Sequence, residues 1–407
     1  MTDDSAPTSA LGSDTWLGAN EYESGSALHT RATNFLSTAK WDVLADIASK
    51  HRGGMSCQYE DKFSVGHFNM VRRIVFEDGV NWVARVRLPN ENMFAGREEL
   101  EDSKTMEIEV ASMKFFRRET SIPVPEVFDY NTSRENDAGA PYILMEYIHG
   151  NVALELRQAK SCAPQLFGTP EQDRKFREQM AQIQATAASF KFPQIGSLYY
   201  NKETDDFYIG PEPQTGKGPW ASSTEYYDDL VNHLLKGTIK KDDLKQNQSF
   251  MVPTILNHLM RLYGEEKTGP FRLTNRYFGA HNILVNDDFD IIGLIDFDGV
   301  MSAPLEVVAQ YPELSFLQVD PPGITYSHPA AIERVKLTAP RLEEYKRLLG
   351  TFESRGGDVT QEVAGHLGST SASIYQGMQA FAQHQDFVNE KWMKSCLKML
   401  QEYAESL

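Results

Sequence analysis

The stretch RLTNRYFGAHNILVN, residues 272 to 286, and its continuation DDFDIIGLIDFDGV hold the side chains best suited to chemistry. Asn282 and Asp296 offer the hard oxygen ligands that Mg²⁺ takes, and such sites commonly pair one or two protein ligands with phosphate oxygens. Between them the apolar runs ILV and IIGLI flank an Asn/Asp turn, which predicts a hairpin carrying both residues to one edge. Asp287, Asp288 and Asp290 read as turn residues of that hairpin. Taken singly, Asn282 as a turn former and Asp296 as a loop acid is the plainer alternative. Upstream stand Asn275 and Tyr277. A phenol titrates near ~10, so at neutral pH Tyr277 donates a proton rather than accepting one. His281, directly before Asn282, is the nearest alternative base.

The elements that must position these groups follow from periodicity. FSVGHFNMVRRIVFEDGVNWVARVRLP is rich in Val, Ile and Phe and is interrupted by Asp78-Gly79, so it reads as antiparallel strands joined by a turn. KTMEIEVASMKFFRRE places Met106, Val110, Met113 and Phe116 at helical spacing, and APYILMEYIHG reads as a short buried strand. Before them, Trp41, Leu44, Ile47 and Ala48 share one helical face. Residues 1–38 are polar and aperiodic and read as a tail draped over the body without elements of its own. After residue 150 the pattern is mostly helical. Thr169 and Pro170 open one helix, and others are predicted over 251–264, 328–354, 359–384 and 387–405.

This order of strands, helix, strand and helices with an Asn282–Asp296 hairpin resembles the aminoglycoside phosphotransferase and choline-kinase-like family, in its fungal branch, over roughly residues 55–320. The resemblance implies an α+β, bilobal protein-kinase-like fold, with a small β-rich N-lobe over 39–148 and a larger, mainly helical C-lobe over 149–407. It implies ATP and Mg²⁺ as cofactors and a small-molecule hydroxyl as acceptor. Residue by residue, Gly66 and Asn69 in FSVGHFNMV take the place of the nucleotide loop. Arg85 takes that of the basic residue on the third strand and Glu109 that of its helical acid partner. Backbone near Glu146 to Ile148 takes that of the hinge that receives the adenine edge. Asn282 and Asp296 become the metal ligands. The departure lies at Asn275 and Tyr277, where the family's pattern has His and the base Asp. Phosphoryl transfer is mostly positioning and electrostatics, and a general base contributes ~10²–10⁴-fold, so its loss slows the reaction without abolishing it. Three readings stay open: an active phosphotransferase with a compensating base, a pseudokinase scaffold that binds a nucleotide and a protein partner, and a cleft repurposed in specialised metabolism.

Charge and composition narrow the partners. The 40 basic and 57 acidic residues give a formal charge of −17, which repels nucleic acid and anionic membranes. Cys57, Cys162 and Cys396 match no metal-ligand spacing and read as reduced thiols. The first residues lack a basic and an apolar region of a secretory signal, and no window has the apolar length of a membrane span, so cytoplasm is the expected location. Trp220, Tyr226 and Tyr227 are candidates either for an acceptor pocket or for helix packing.

Overall fold

The computed structural model describes residues 11–89, 100–239, 251–264, 267–322, 324, 326–383 and 385–407. Its contacts gather into two compact units: Met1–Ala95, Asp102–Asp173 and His281–Phe297 form the first, and Gly96–Glu101, Arg174–Ala280 and Asp298–Leu407 the second.

The chain enters the first unit through α1 (Ala27–Thr38) and α2 (Trp41–His51), followed by β1 (Cys57–Val65), β2 (Asn69–Phe76) and β3 (Asn81–Arg87). Helix α3 (Asp102–Glu119) precedes β4 (Val127–Asn131) and β5 (Tyr142–Glu146). The five strands form one antiparallel sheet in the order β1-β2-β3-β5-β4. Its β2–β3 turn is the Asp78-Gly79 pair, where Gly79 adopts φ +83° and its N–H donates to Phe76 O at 2.9 Å. Met70, Ile74, Phe76 and Trp82 form a buried core with Trp41, Leu44 and Ala48 of α2. That stripe of apolar groups removed from water is what holds helix and sheet together.

Residues 11–38 correct the expectation of an element-free tail. Ser26 Oγ caps α1 by accepting the His29 N–H at 3.2 Å, and Ala32 and Phe35 enter the core. Two short 3₁₀ turns, Gly12–Thr15 and Gly18–Glu21, precede the helix. A polar composition concealed them because only a few apolar positions anchor the segment.

Beyond β5 come β6 (Asn151–Val152), α4 (Ala153–Ala159) and α5 (Pro170–Ala188). The second unit then builds β7 (Lys191–Phe192), β8 (Gly196–Asn201), β9 (Asp206–Gly210), α6 (Ser223–Ile239), α7 (Met251–Tyr263) and β10 (Phe271–Asn275). The hairpin β11 (Ile283–Val285) and β12 (Ile291–Leu294) belongs to the first unit, and the chain ends in the second with β13 (Val300–Ala303), α8 (Leu305–Val308), α9 (Pro329–Arg355), α10 (Glu362–His366), α11 (Thr370–Gln383) and α12 (Gln385–Ser406).

Three further features depart from the sequence reading. The hairpin groups with the first unit because β11 pairs with β6, Leu284 opposite Val152 and Val285 opposite Asn151; the division therefore differs from a single cut after residue 148. The second unit also contains a five-stranded sheet, β7-β10-β13-β8-β9, within a segment read as mostly helical. Strands as short as Lys191–Phe192, or buried at every position like Val300–Ala303, leave no period-two signal. The helix predicted over 359–384 is split between α10 and α11, with Gly368 at φ +71° in the break.

Candidate functional site

Strand β3 and helix α3 converge on a buried ion pair. Arg85 and Glu109 pair directly, with side chains 12% and 3% exposed. The same guanidinium reaches Asp296, Nη2 donating to Oδ1 at 3.1 Å. Asn69, with its amide turned to suit the guanidinium, accepts from Nη2 at 2.8 Å and Nε at 3.1 Å. One permanent cation on β3 therefore holds two carboxylates and an amide, from α3, the second residue after β12 and β2. Burial of charge is tolerable here because each partner is paired. The sum of the three ionic groups is one net negative charge, which favours a further cation.

Asp296 stands at φ +68°, a left-handed conformation uncommon for a residue with a side chain. Strained backbone of this kind concentrates at functional sites. Its Oδ2 lies 3.5 Å from Asn282 Nδ2, while the Ile295 N–H donates to Asn282 O at 3.0 Å, so the hairpin brings Asn282 and Asp296 to one end as expected. Among the described residues no cluster of three or more His, Cys, Asp or Glu forms a complete protein cage for a metal. The pair instead fits the sparse oxygen ligation of Mg²⁺, whose shell phosphate oxygens and water complete. His281 is half-buried beside this pair. Burial pulls its imidazole below the ordinary range, against the Asp296 charge, which pushes it up.

The remaining nucleotide candidates also lie in the first unit. The Gly66 N–H donates to Asn69 O at 2.9 Å, and a Cβ at Gly66 would meet nothing within 4 Å. The fold itself does not demand glycine there, and its absence of side chain leaves the backbone open to approach. Glu146 and Ile148 are more committed than expected. The Glu146 N–H donates to Glu126 O at 2.8 Å, its carboxylate accepts from Arg117 Nη1 at 3.0 Å, and the Tyr147 N–H donates to Asn81 O at 3.3 Å. Ile148 O accepts from the Gly150 N–H at 3.0 Å, and the Ile148 side chain covers Gly293 so closely that a Cβ there would lie 2.6 Å from it.

Asn275 and Tyr277 belong to the second unit. Asn275 ends β10 opposite Val300, and its Oδ1 accepts the Tyr277 N–H at 3.0 Å, an Asx turn that shapes the loop without an imidazole. The Tyr277 ring lies on the backbone of Gly299, where a Cβ would fall 2.6 Å from Cδ2. Between them Arg276, overlooked in the sequence, turns inward with a side chain 7% exposed. It meets Glu212, fully buried, at 3.1 Å and Gln214 Oε1 at 3.1 Å. Burial works against the Arg276 charge, and Glu212 with nearby tyrosines outweighs it, so the guanidinium stays charged. Trp220, Tyr226 and Tyr227 prove to be core, at 5%, 0% and 5% exposure, with the Tyr227 hydroxyl donating to Glu306 Oε2 at 3.0 Å.

The profile of the phosphotransferase enzyme family matches residues 72–307, more than half of the 407 residues. The chain belongs to the phosphotransferase enzyme family. For this phosphotransferase-family protein the α+β, kinase-like fold follows, with its small sheet-rich and larger helix-rich parts. It is similar to a subtelomeric hrmA-associated cluster protein of Aspergillus fumigatus, 35% identical over 159 residues, covering 37% of this chain and 28% of that one. It is also similar to altered inheritance of mitochondria protein 9, mitochondrial, of Meyerozyma guilliermondii, 30% identical over 124 residues, 29% of this chain and 19% of that one. The chain thus matches well under two thirds of these curated relatives. Among solved structures, the apo form of a thermostable mutant of an aminoglycoside phosphotransferase shares 17% identity over 88% of this chain and 98% of its own, with a TM-score of 0.47. A likeness of that degree carries no residue-level correspondence.

The relatives also correct the cytoplasmic expectation. Several, from Meyerozyma, Debaryomyces, Candida and Yarrowia, carry a mitochondrial name, which points away from the cytoplasm. The composition of the first residues could not decide this, since the absence of a secretory pattern leaves other destinations open.

Proposed function

We propose that this phosphotransferase-family protein binds a magnesium nucleotide and transfers its phosphoryl group poorly, if at all, by the ordinary base-assisted route, acting on or responding to a small molecule in specialised metabolism. The observation that carries this reading is the Arg85 network, in which one guanidinium holds Glu109, Asp296 and Asn69 together beside Asn282. Arg85 would meet nucleotide phosphates as a fixed, permanently charged donor. Asn282 and Asp296 would hold Mg²⁺, which supplies neutralisation of phosphate charge. The Gly66 turn leaves backbone accessible to phosphate oxygens.

The binding reading is favoured over efficient transfer by the packing of Tyr277 on Gly299, which makes the phenol a space-filling group in its loop. A phenol that remains protonated at neutral pH takes no proton from an acceptor hydroxyl. The mitochondrial names of the relatives support a mitochondrial setting for the activity.

Calorimetric titration with ATP, with and without Mg²⁺, of wild type and Asp296→Ala tests the proposal. Magnesium-dependent binding that the variant loses is the expected result. Equal affinity in wild type and variant, or no binding of any nucleotide by wild type, overturns it. Where binding holds, Tyr277→Asp should raise slow ATP turnover by up to ~10²–10⁴-fold, the usual worth of a general base.

A further inference from the structure

The segment before α2 makes a continuous set of contacts along the first unit. Gly12, at φ +60°, donates its N–H to Asn151 Oδ1 at 2.6 Å, and a Cβ there would collide with the Tyr147 hydroxyl. Ser13, 1% exposed, donates its N–H to that hydroxyl at 2.8 Å and its Oγ to Glu60 Oε2 at 3.1 Å. Gly18 lies on the Phe63 ring, where a Cβ would be 2.8 Å away. At the far end Arg31, 6% exposed, donates from Nη1 to His67 O at 2.7 Å and from Nη2 to Pro89 O at 2.6 Å. One end of the segment is therefore fixed beside the expected hinge, at Tyr147 and Asn151, and the other to the turn that contains Gly66.

The turn is held from several sides: the Arg87 guanidinium lies 4.8 Å over the Phe68 ring, the Tyr22 hydroxyl donates to Val65 O at 3.5 Å, and the Asn69 amide meets Arg85. Gly66 offers no side chain and its Cβ position is open, while the backbone ties are Gly66 N–H to Asn69 O at 2.9 Å and Leu88 N–H to Phe68 O at 2.8 Å. How readily such a loop opens locally depends on the bonds that reach its backbone from outside it. Arg31 supplies two charge-assisted bonds across the turn and the exit of β3, from a helix whose Ala32 and Phe35 are anchored in the core.

We propose that residues 11–38 are a strap that sets the Gly66 turn for a nucleotide, with Arg31 as its positioning residue. This rests on the nucleotide reading above for its consequence, though the restraint of the turn does not. Binding of phosphate to backbone N–H groups requires those groups to be ordered beforehand; a turn released from Arg31 must be ordered at the expense of affinity.

Hydrogen exchange of peptides covering residues 64–70, together with magnesium-ATP titration and thermal melting, separates the two claims in full-length wild type, Arg31→Gln and Arg31→Lys. Loss of both bonds in Arg31→Gln should raise exchange in 64–70 and weaken nucleotide binding, each by about tenfold, as loss of net bonding worth one decade implies. Melting should change little, since Ala32 and Phe35 remain in place. Arg31→Lys, which keeps the charge and can reach one carbonyl, should fall between and serves where Arg31→Gln does not fold. Unchanged exchange in 64–70 in the folded variants overturns the strap. Raised exchange with no nucleotide binding by wild type upholds the restraint and defeats the nucleotide reading alone. Raised exchange with unaltered affinity in a wild type that does bind shows that the turn is irrelevant to the ligand and overturns Arg31 as a positioning residue.

Discussion

Arg85 Nη2 stands 3.1 Å from Asp296 Oδ1 while the same guanidinium pairs with Glu109, so a β-strand cation fixes a carboxylate 211 positions further along the chain. This single relationship couples the sheet, helix α3 and the hairpin. Removing one partner from a buried pair leaves an uncompensated charge, at a cost of about 3–5 kcal/mol. Arg85→Met should therefore lower unfolding stability by about that amount. Combining it with Glu109→Gln should recover part of the loss, because the stranded buried charge goes too. Urea denaturation of the single and double variants checks this. A loss near that of an ordinary surface substitution in Arg85→Met would show that the network contributes little.

Gly299 and Tyr277 supply a test of the phenol as a filler. An added methyl at 299 would approach Tyr277 Cδ2 to 2.6 Å and Asn275 Oδ1 to 3.0 Å. Overpacking of this kind costs about 1–3 kcal/mol. Gly299→Ala should be destabilising in wild type and clearly less so in a Tyr277→Ala background, where only the Asn275 Oδ1 approach remains, giving a coupling energy by denaturation. Additive losses would mean that the ring does not depend on the glycine.

The sequence made some of this visible and concealed the rest for physical reasons. Asp78-Gly79 identified the β2–β3 turn because the left-handed backbone favours glycine, and the ILV and IIGLI runs identified the hairpin because its flanks are apolar around an Asn/Asp turn. Arg85 and Glu109 were legible as a pair only through the family resemblance, since no local pattern links a strand residue to a helix residue. Arg276 was concealed for the same reason: Glu212 lies 64 positions upstream. Residues 11–38 were concealed by composition, since Gly12, Ser13 and Arg31 anchor through hydrogen bonds rather than an apolar stripe.

Asp102 at the start of α3 predicts acid sensitivity of the first unit. Burial raises its pKa, and the charges and hydrogen bonds of Arg87 and Arg134 outweigh this to leave it below the ordinary range. A carboxylate depressed in the folded state contributes stability that is fully present above its unfolded value, about 3.9, and is lost as pH falls through the lower folded value. Between about pH 4 and the acid limit, wild type should lose stability more steeply than Asp102→Asn, whose amide does not titrate. Chemical denaturation at a series of pH values measures the slopes. Parallel slopes would remove Asp102 from the account.

Arg276 and Glu212 allow an ordering to be predicted rather than only a loss. Glu212 keeps bonds from Thr215 N at 2.7 Å, Thr215 Oγ1 at 2.6 Å and Gln214 N at 3.0 Å even without the arginine. Arg276 without its carboxylate keeps two neutral partners, Gln214 Oε1 at 3.1 Å and the Tyr375 hydroxyl, and no compensating anion from Glu212. A buried charge with several hydrogen-bond partners is less costly than one with few. Glu212→Gln should therefore destabilise more than Arg276→Met, with the larger loss about 3–5 kcal/mol. Because Arg276 lies between Asn275 and Tyr277, the same two variants should loosen the loop in that order, read from hydrogen exchange of peptides covering 272–280. The reverse order in both readouts would show that the carboxylate, rather than the guanidinium, is the charge in need of compensation.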